Sequence, residues 1–308
     1  MPSYIAAFSL LILLCLPLRL FARGGCGSDG VWLQVLGSGG PEVIQTGRAS
    51  SSYLLWLNGK ARLLVDAGGG SALNFARTGA DFKDLDAIVF SHFHVDHSAD
   101  LPVFIKASYF GDRYRDLPLF GPTGNDLMPS AKAFVHAEFA EPDGAFHYLS
   151  DFIDPSPSSA YKLVAHNIDA TGRLLWVGFH NKRFKLSAIP VHHGPIPALA
   201  WRVDINGHSI TFSGDMNGNR HTLAKLAAHS DILVAHNAIP EGAGGVARQL
   251  HMPPSVIGKI AARAMVKQLV LSHRMRRTLG KEKQTRKIIS RYYHGTVVFA
   301  NDLDCFRP

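Results

Sequence analysis

The sequence predicts a single α/β domain in which two β-sheets are sandwiched between helices, and three observations point there. Short apolar runs of strand character alternate with helix-like segments along most of the chain. Several of those runs end in residues able to hold a metal ion. No Pro/Ser-rich linker, repeat or low-complexity block separates one half of the chain from the other.

In order, the strand-like runs are Trp32–Leu36, Tyr53–Trp56, Arg62–Val65, Ile88–Phe90, Leu174–Val177, Phe184–Ile189, Ala200–Val203, Ser209–Phe212, Ile232–Val234, Leu269–Leu271 and Val297–Phe299. They are short and mostly apolar, as buried strands are. Helix-like segments fall near 71–78, 101–108, 219–228, 254–265 and 281–292. The fourth of these opens on Pro253-Pro254-Ser255, and proline suits a first helical turn. The last carries Ile288, Ile289 and Tyr292 on its apolar side, so Lys281, Lys283, Arg286 and Lys287 read as its wet face. Gly37-Ser38-Gly39-Gly40 and Ala67-Gly68-Gly69-Gly70 lack the Gly-Lys-Ser/Thr of a nucleotide-gripping loop. They read as tight turns that let backbone approach a site closely.

The chemistry is concentrated in His92-Phe93-His94-Val95-Asp96-His97, an HxHxDH string that follows the buried strand Leu85–Ser91. Three imidazoles and a carboxylate so close together would each need a partner if buried, and a divalent cation satisfies them all. Leu186–His193, Ile210–Asp215 and Leu269–His273 repeat the grammar of an apolar run ending in a ligand-type residue. A two-metal site needs that many donors. The ligand types are all imidazole and carboxylate, which suits two Zn²⁺ ions and also admits manganese or iron. Two such ions about 3.5–4 Å apart can share a hydroxide and make it a nucleophile at neutral pH, so the predicted reaction is hydrolysis.

From about Leu33 to about Phe299 the chain resembles the metallo-β-lactamase superfamily, through HFHVDH, the later histidine, Phe212-Ser213-Gly214-Asp215 and Ser272-His273 in family order. The resemblance implies the αββα four-layer sandwich of that family, with metals at one edge. It implies that His92, His94 and His193 hold one ion, that Asp96, His97 and His273 hold the other, and that Asp215 bridges them. Asp66 would orient a ligand from behind. Either His192 or His193 would serve by position, and His193-Gly194 followed by Trp201-Arg202 fits the family better.

The bridging aspartate argues against lactam hydrolysis. Within the superfamily the chain is most similar to the branch containing tRNase Z, through Leu36–Pro41, Ser50–Leu55, Pro118–Gly124 and the segments around His236 and His251. That resemblance makes His251, together with Asp96, a candidate catalytic residue, His251 as general acid, while the alternative reading is that His251 caps or flanks the helix opened by Pro253-Pro254-Ser255. In tRNase Z a glutamate pairs with the equivalent histidine, whereas here the position is Asn237, which cannot be ionised to polarise an imidazole. Transfer-RNA processing is therefore disfavoured. The expected activity is cleavage of a phosphodiester in a nucleotide or small anionic substrate by a metal-bridging hydroxide. Carboxyl-ester, thioester or lactone hydrolysis is the competing expectation.

The net charge of +8 is uneven: Lys267 through Arg291 holds nine lysines and arginines against one acid, Glu282. Arg274, Arg276 and Arg277 directly follow the ligand candidate His273 and are candidate substrate-binding residues for an anion. Ile5 to Leu18, Arg19 and Leu20-Phe21-Ala22 read as a secretory signal peptide over residues 1–22, leaving a hydrolase domain over 23–308 that is periplasmic or secreted. Precursor transfer RNA would not be met there, and no stable nucleic-acid partner is expected. Membrane association is expected only if the leader stays uncut. Without Cys15, only Cys26 and Cys305 remain, and they are predicted to pair, because the termini of compact domains often lie close together.

Overall fold

In the computed structural model, which describes residues 26–154 and 159–308, the apolar runs form two seven-stranded sheets packed face to face. The predicted leader lies outside the described residues. Among those residues, no helix is long and apolar enough to cross a membrane.

The first sheet comprises β1 (Val31–Gly37), β2 (Ser52–Leu57), β3 (Lys60–Val65), β4 (Ala87–Val89), β5 (Leu117–Pro122) and β6 (Leu163–Ile168) in spatial sequence. The second comprises β7 (Trp176–His180), β8 (Phe184–His193), β9 (Ile196–Ile205), β10 (His208–Phe212), β11 (Ile232–His236), β12 (Gln268–Ser272) and β13 (Thr296–Phe299), likewise in spatial sequence. A short β14 (Cys305–Phe306) returns to the free edge of β1, antiparallel to it. This return brings Cys26 and Cys305 together in a disulfide with their Cα atoms 5.8 Å apart.

Helices α1 (Ser71–Thr78), α2 (Val95–Ser98), α3 (Leu101–Ser108) and α4 (Ala131–Phe139) accompany the first sheet. Helices α5 (Leu223–Leu226), α6 (Gly245–Leu250), α7 (Pro254–Arg263) and α8 (Glu282–Ile289) accompany the second. Three apolar cores follow from these four layers. Between the sheets, Leu33, Tyr53, Leu55 and Val65 meet Leu186, Trp201, Phe212 and Val234. Behind the first sheet, Leu54, Leu64 and Ile88 pack with Phe75, Phe104 and Phe139. Behind the second, Leu233 and Leu271 pack with Leu226, Ile257 and Ile289. Where both faces are covered, in β2, β4, β11 and β12, the strands are buried almost without a break rather than alternating, whereas β6 and β7 at the sheet edges are part-exposed.

β5, β6, β14, α2, α4 and α6 exceed what the sequence predicts, and β8 and β9 run longer than expected. Proline accounts for part of this. Pro118, Pro190 and Pro197 sit in strands, where a missing N–H argues against strand assignment. Each lies beyond the paired stretch of one neighbour: β4 pairs from Leu119, β7 ends against Ala188, and β10 pairs from Trp201. The absent donor therefore has no ladder partner to lose on that side.

Candidate metal centre

The parallel arrangement of β3 with β4 and of β10, β11 and β12 places their C-terminal ends at one rim, as sheets of this kind do for their functional loops. From that rim the chain delivers Asp66 after β3, His92 to His97 after β4, Asp215 after β10, His236 at the end of β11 and His273 after β12. His193 comes from the end of β8 and His251 from the end of α6. Two of these residues hold left-handed backbone that non-glycine residues seldom adopt, Asp66 at φ 56° and His273 at φ 53°. Such strain is characteristic of sites whose surroundings fix the chain. Close backbone approach also shows in the glycines: a Cβ on Gly68 would lie 2.2 Å from the Asp96 carbonyl oxygen, and one on Gly40 would lie 2.6 Å from the His273 ring.

Donor atoms of His92, His94 and His193 all lie within 4.8 Å of one another, as do those of His97, Asp215, His236 and His273, and those of His193, Asp215 and His251. Asp215 occupies the middle. Its Oδ2 is 3.7 Å from His193 Nε2, 3.8 Å from His97 Nε2 and 3.6 Å from His251 Nδ1, while its Oδ1 is 3.4 Å from His273 Nε2. Asp96 Oδ2 lies 3.1 Å from His273 Nε2 and 3.6 Å from His97 Nε2. His193 belongs to the cluster and His192 does not: the His192 ring bonds Asn217 Nδ2 at 2.8 Å instead.

Hydrogen bonds at the far side of the rings decide which nitrogens face the cluster. Asp66 accepts from the Ser91 amide at 2.7 Å, from Ser91 Oγ at 2.8 Å and from His97 Nδ1 at 2.8 Å. Because Ser91 Oγ donates to Asp66, it accepts from His92 Nδ1 at 3.1 Å. His193 Nδ1 donates to the Leu250 carbonyl at 2.9 Å. Each arrangement leaves Nε2 as a lone pair aimed at the cluster. His92 Nε2, His97 Nε2 and His251 Nδ1 are buried with no hydrogen-bond partner. Orphaned buried nitrogens converging in this way fit a cation.

The electrostatics agree. Burial lowers the pKa of His97, but Asp96, Asp66 and Asp215 more than reverse this and raise it to about 9. Burial opposes ionisation of Asp96, yet His97 and His273 hold its carboxyl down at about 2. Burial keeps His92 well below the usual imidazole range and brings His251 to about 3. Neutral rings at His92 and His251 thus stand beside anionic carboxylates that draw positive charge onto His97, charge that a cation would supply in its place. Asp66→Asn would retain the volume but place an amide against the His97 N–H. Its expected cost is about 10–100-fold in metal affinity, read by competition with a chromogenic chelator.

Sequence reasoning missed two residues of this site. His236 Nδ1 donates to Asp215 Oδ1 at 2.7 Å, and its Nε2 accepts from the Tyr53 hydroxyl at 3.0 Å. His236 ends the apolar run Ile232–Ala235, the same signal that marks the other candidates. Tyr53 carries no such mark, since it lies inside a strand and burial keeps its phenol protonated.

The three arginines part company, and Arg274 requires a correction. Its guanidinium is buried, bonded to Glu282 at 2.7 Å and set 5.5 Å from the Phe299 ring centre, so it is committed to packing α8. Arg276 is exposed, and its backbone amide bonds Glu42. Arg277 bonds the Ala238 carbonyl at 2.7 Å and lies close enough to His251 to help depress its pKa. Asn237 is buried with its amide nitrogen unpaired, and no hydrogen bond joins it to His251 among the described residues.

Comparison with known proteins places this geometry. Residues 45–253 match the description of the Metallo-beta-lactamase superfamily. A curated relative from Mycobacterium bovis named "Ribonuclease Z" is 27% identical over 287 residues, covering 88% of this chain and 96% of the relative. Among solved structures, the metallo-beta-lactamase fold protein YhfI from Bacillus subtilis superposes with TM-score 0.67 at 20% identity, covering 90% of this chain and 99% of that one. Human tRNase Z, short form, superposes with TM-score 0.67 at 19% identity, covering 90% and 98%.

Proposed function

The chain belongs to the metallo-β-lactamase superfamily and is a metal-dependent hydrolase, and from that premise we propose that it is a dinuclear phosphodiesterase acting on a nucleotide or another small anionic diester. The observation that carries the proposal is the position of Asp215, whose carboxylate reaches toward His193 on one side and toward His97 and His273 on the other. One carboxylate placed this way can serve two cations. His92, His94 and His193 would hold one ion and Asp96, His97 and His273 the other, with zinc the natural choice for such donors. When bound, the pair supplies Lewis acidity, drawing charge from a phosphoryl oxygen and making a water acidic enough to attack at neutral pH.

The remaining work falls to this chain's own side chains. Asp66 and Ser91 fix the rings of His97 and His92, and His236 with Tyr53 fixes the carboxylate plane of Asp215. Arg277 adds positive charge beside His251 and favours an anionic substrate there. His251 rests neutral; a phosphodiester against its ring favours protonation and prepares it to hand a proton to the leaving oxygen. Asn237 gives it no carboxylate partner. The curated relative named "Ribonuclease Z" supports a phosphodiester as the bond cleaved.

The test is a panel of bis(p-nitrophenyl) phosphate, p-nitrophenyl acetate, an aryl lactone and a chromogenic lactam. The phosphodiester is expected to exceed the ester in kcat/KM by about tenfold or more. Ester or lactone turnover above diester turnover would replace this reading with the carboxyl-ester one.

We further propose that the protein works in an oxidising compartment after export, a reading supported by the Cys26–Cys305 disulfide. That bond closes a loop of 279 residues. Cys305→Ser is expected to lower stability by about 2–4 kcal/mol, measured by urea unfolding. Free thiols at both cysteines in the denatured, non-reduced protein recovered from its native compartment would remove the support.

A further inference from the structure

Immediately after Asp215 the chain turns into the wall of a second cleft of about 290 Å³, bounded by the Met216–His221 loop, α5 and α7. None of the metal-ligand candidates lines it. Its accessible apolar surface comes from Val256 and Ile260, with Met216 and Leu223 buried beneath, and its basic groups are Arg248, Lys259 and Arg263. Among the described residues, no aspartate or glutamate lines it.

The basic groups are short of anionic partners. Some of the protein's cations are paired, Arg115 and Arg183 with Asp86, Lys267 with Asp231, and Arg274 with Glu282. Among the described residues no ion pair involves Arg248, Lys259 or Arg263. Arg248 donates to the Asn217 carbonyl at 3.1 Å, and Lys259 lies 4.9 Å from the centre of the Tyr292 ring. The sequence leaves them this way over a long span, because Gly242 to Lys281 carries eight lysines and arginines and no acid. Cations gathered around a low-dielectric cleft focus a positive field into it and draw an anion. The apolar surface adds a requirement for a ring or other nonpolar body beside that charge. The volume, near the low end of the roughly 300–1,000 Å³ of small-molecule pockets, suits one such unit and not a polymer.

We propose that this cleft is a second subsite for a single nucleotide, its phosphate held by Arg248, Lys259 and Arg263 and its base laid on Val256 and Ile260. The choice of a nucleotide rests on the phosphodiesterase reading. Two sources share this chemistry: a nucleotide unit of a longer substrate beyond the scissile bond, and a free mononucleotide.

The experiment uses the full chain and the double variant Lys259→Glu with Arg263→Glu, both exposed positions, beside Lys287→Glu on α8 as a charge control. Hydrolysis of bis(p-nitrophenyl) phosphate, too small to span both sites, is expected to stay within about twofold in every protein, which reports an intact metal centre. The first arm measures KM for a short oligonucleotide, and the second measures binding of a fluorescent adenosine monophosphate in an Asp215→Ala background, where turnover is removed. A rise of about tenfold in KM at unchanged kcat assigns the cleft to a substrate unit, and weakening of mononucleotide binding by about tenfold assigns it to the free nucleotide. If neither moves, or if Lys287→Glu reproduces the changes, the subsite does not exist. Because the binding arm needs no turnover, failure of the phosphodiesterase reading would show separately, as wild-type protein inert toward every diester.

Discussion

Asp215→Ala is expected to reduce phosphodiester hydrolysis by about 10²–10³-fold, the range seen when preorganised charge is removed from a reacting centre. Its carboxylate lies within 4 Å of five imidazoles, from His236 at 2.7 Å to His97 at 3.8 Å. Burial alone would raise its pKa, but His273, His251 and the hydrogen bond from His236 hold it well below the usual carboxylate range. It is therefore anionic throughout the neutral range. Its loss leaves those rings without their shared counter-charge and the two ligand groups without a common member. Initial rates on bis(p-nitrophenyl) phosphate, with metal content measured on the same samples, check this. His236→Ala leaves the carboxylate in place but frees its plane, so a smaller loss is expected there, about 10–100-fold.

Trp201→Ala is expected to destabilise the protein by about 3–5 kcal/mol, read from the midpoint and slope of urea unfolding. Trp201 is fully buried between the sheets and meets Trp176 edge-on at 5.8 Å. Its indole N–H crosses from the second sheet to the first and donates to the Phe90 carbonyl at 2.9 Å. Truncation therefore opens a large cavity and leaves a buried carbonyl unpaired, two costs that add. Because Phe90 stands two residues before His92, the same substitution is expected to weaken metal affinity. Trp201→Phe fills most of the volume and isolates the hydrogen-bond contribution, about 1–3 kcal/mol.

Much of the site was legible because its residues obey a local rule, a ligand-type side chain where a buried run stops. His92 to His97, His193, Asp215 and His273 all obey it, and the structure brings them to one rim. His236 obeys it too, but its partner Tyr53 lies 183 residues away, and no spacing within one strand announces that bond. Arg274 misled for the opposite reason. Adjacency to His273 put it near the cluster in sequence, whereas the left-handed turn at His273 and the acid at Glu282 direct its guanidinium to α8. In the fold, apolar runs with no interruption were read well. β5 and the ends of β8 and β9 were not, because proline is excluded from a strand only where the neighbour its nitrogen faces needs a donor.

Elemental analysis of the purified chain, dialysed against zinc and then against buffer, bears most directly on the claim that these side chains converge to hold a pair of cations. About two ions per chain are expected, with Asp215→Ala and His94→Ala each lowering that count and the diesterase rate together. A wild-type chain that takes up neither zinc nor manganese nor iron, or that hydrolyses the diester at full rate after complete chelation, would contradict the account.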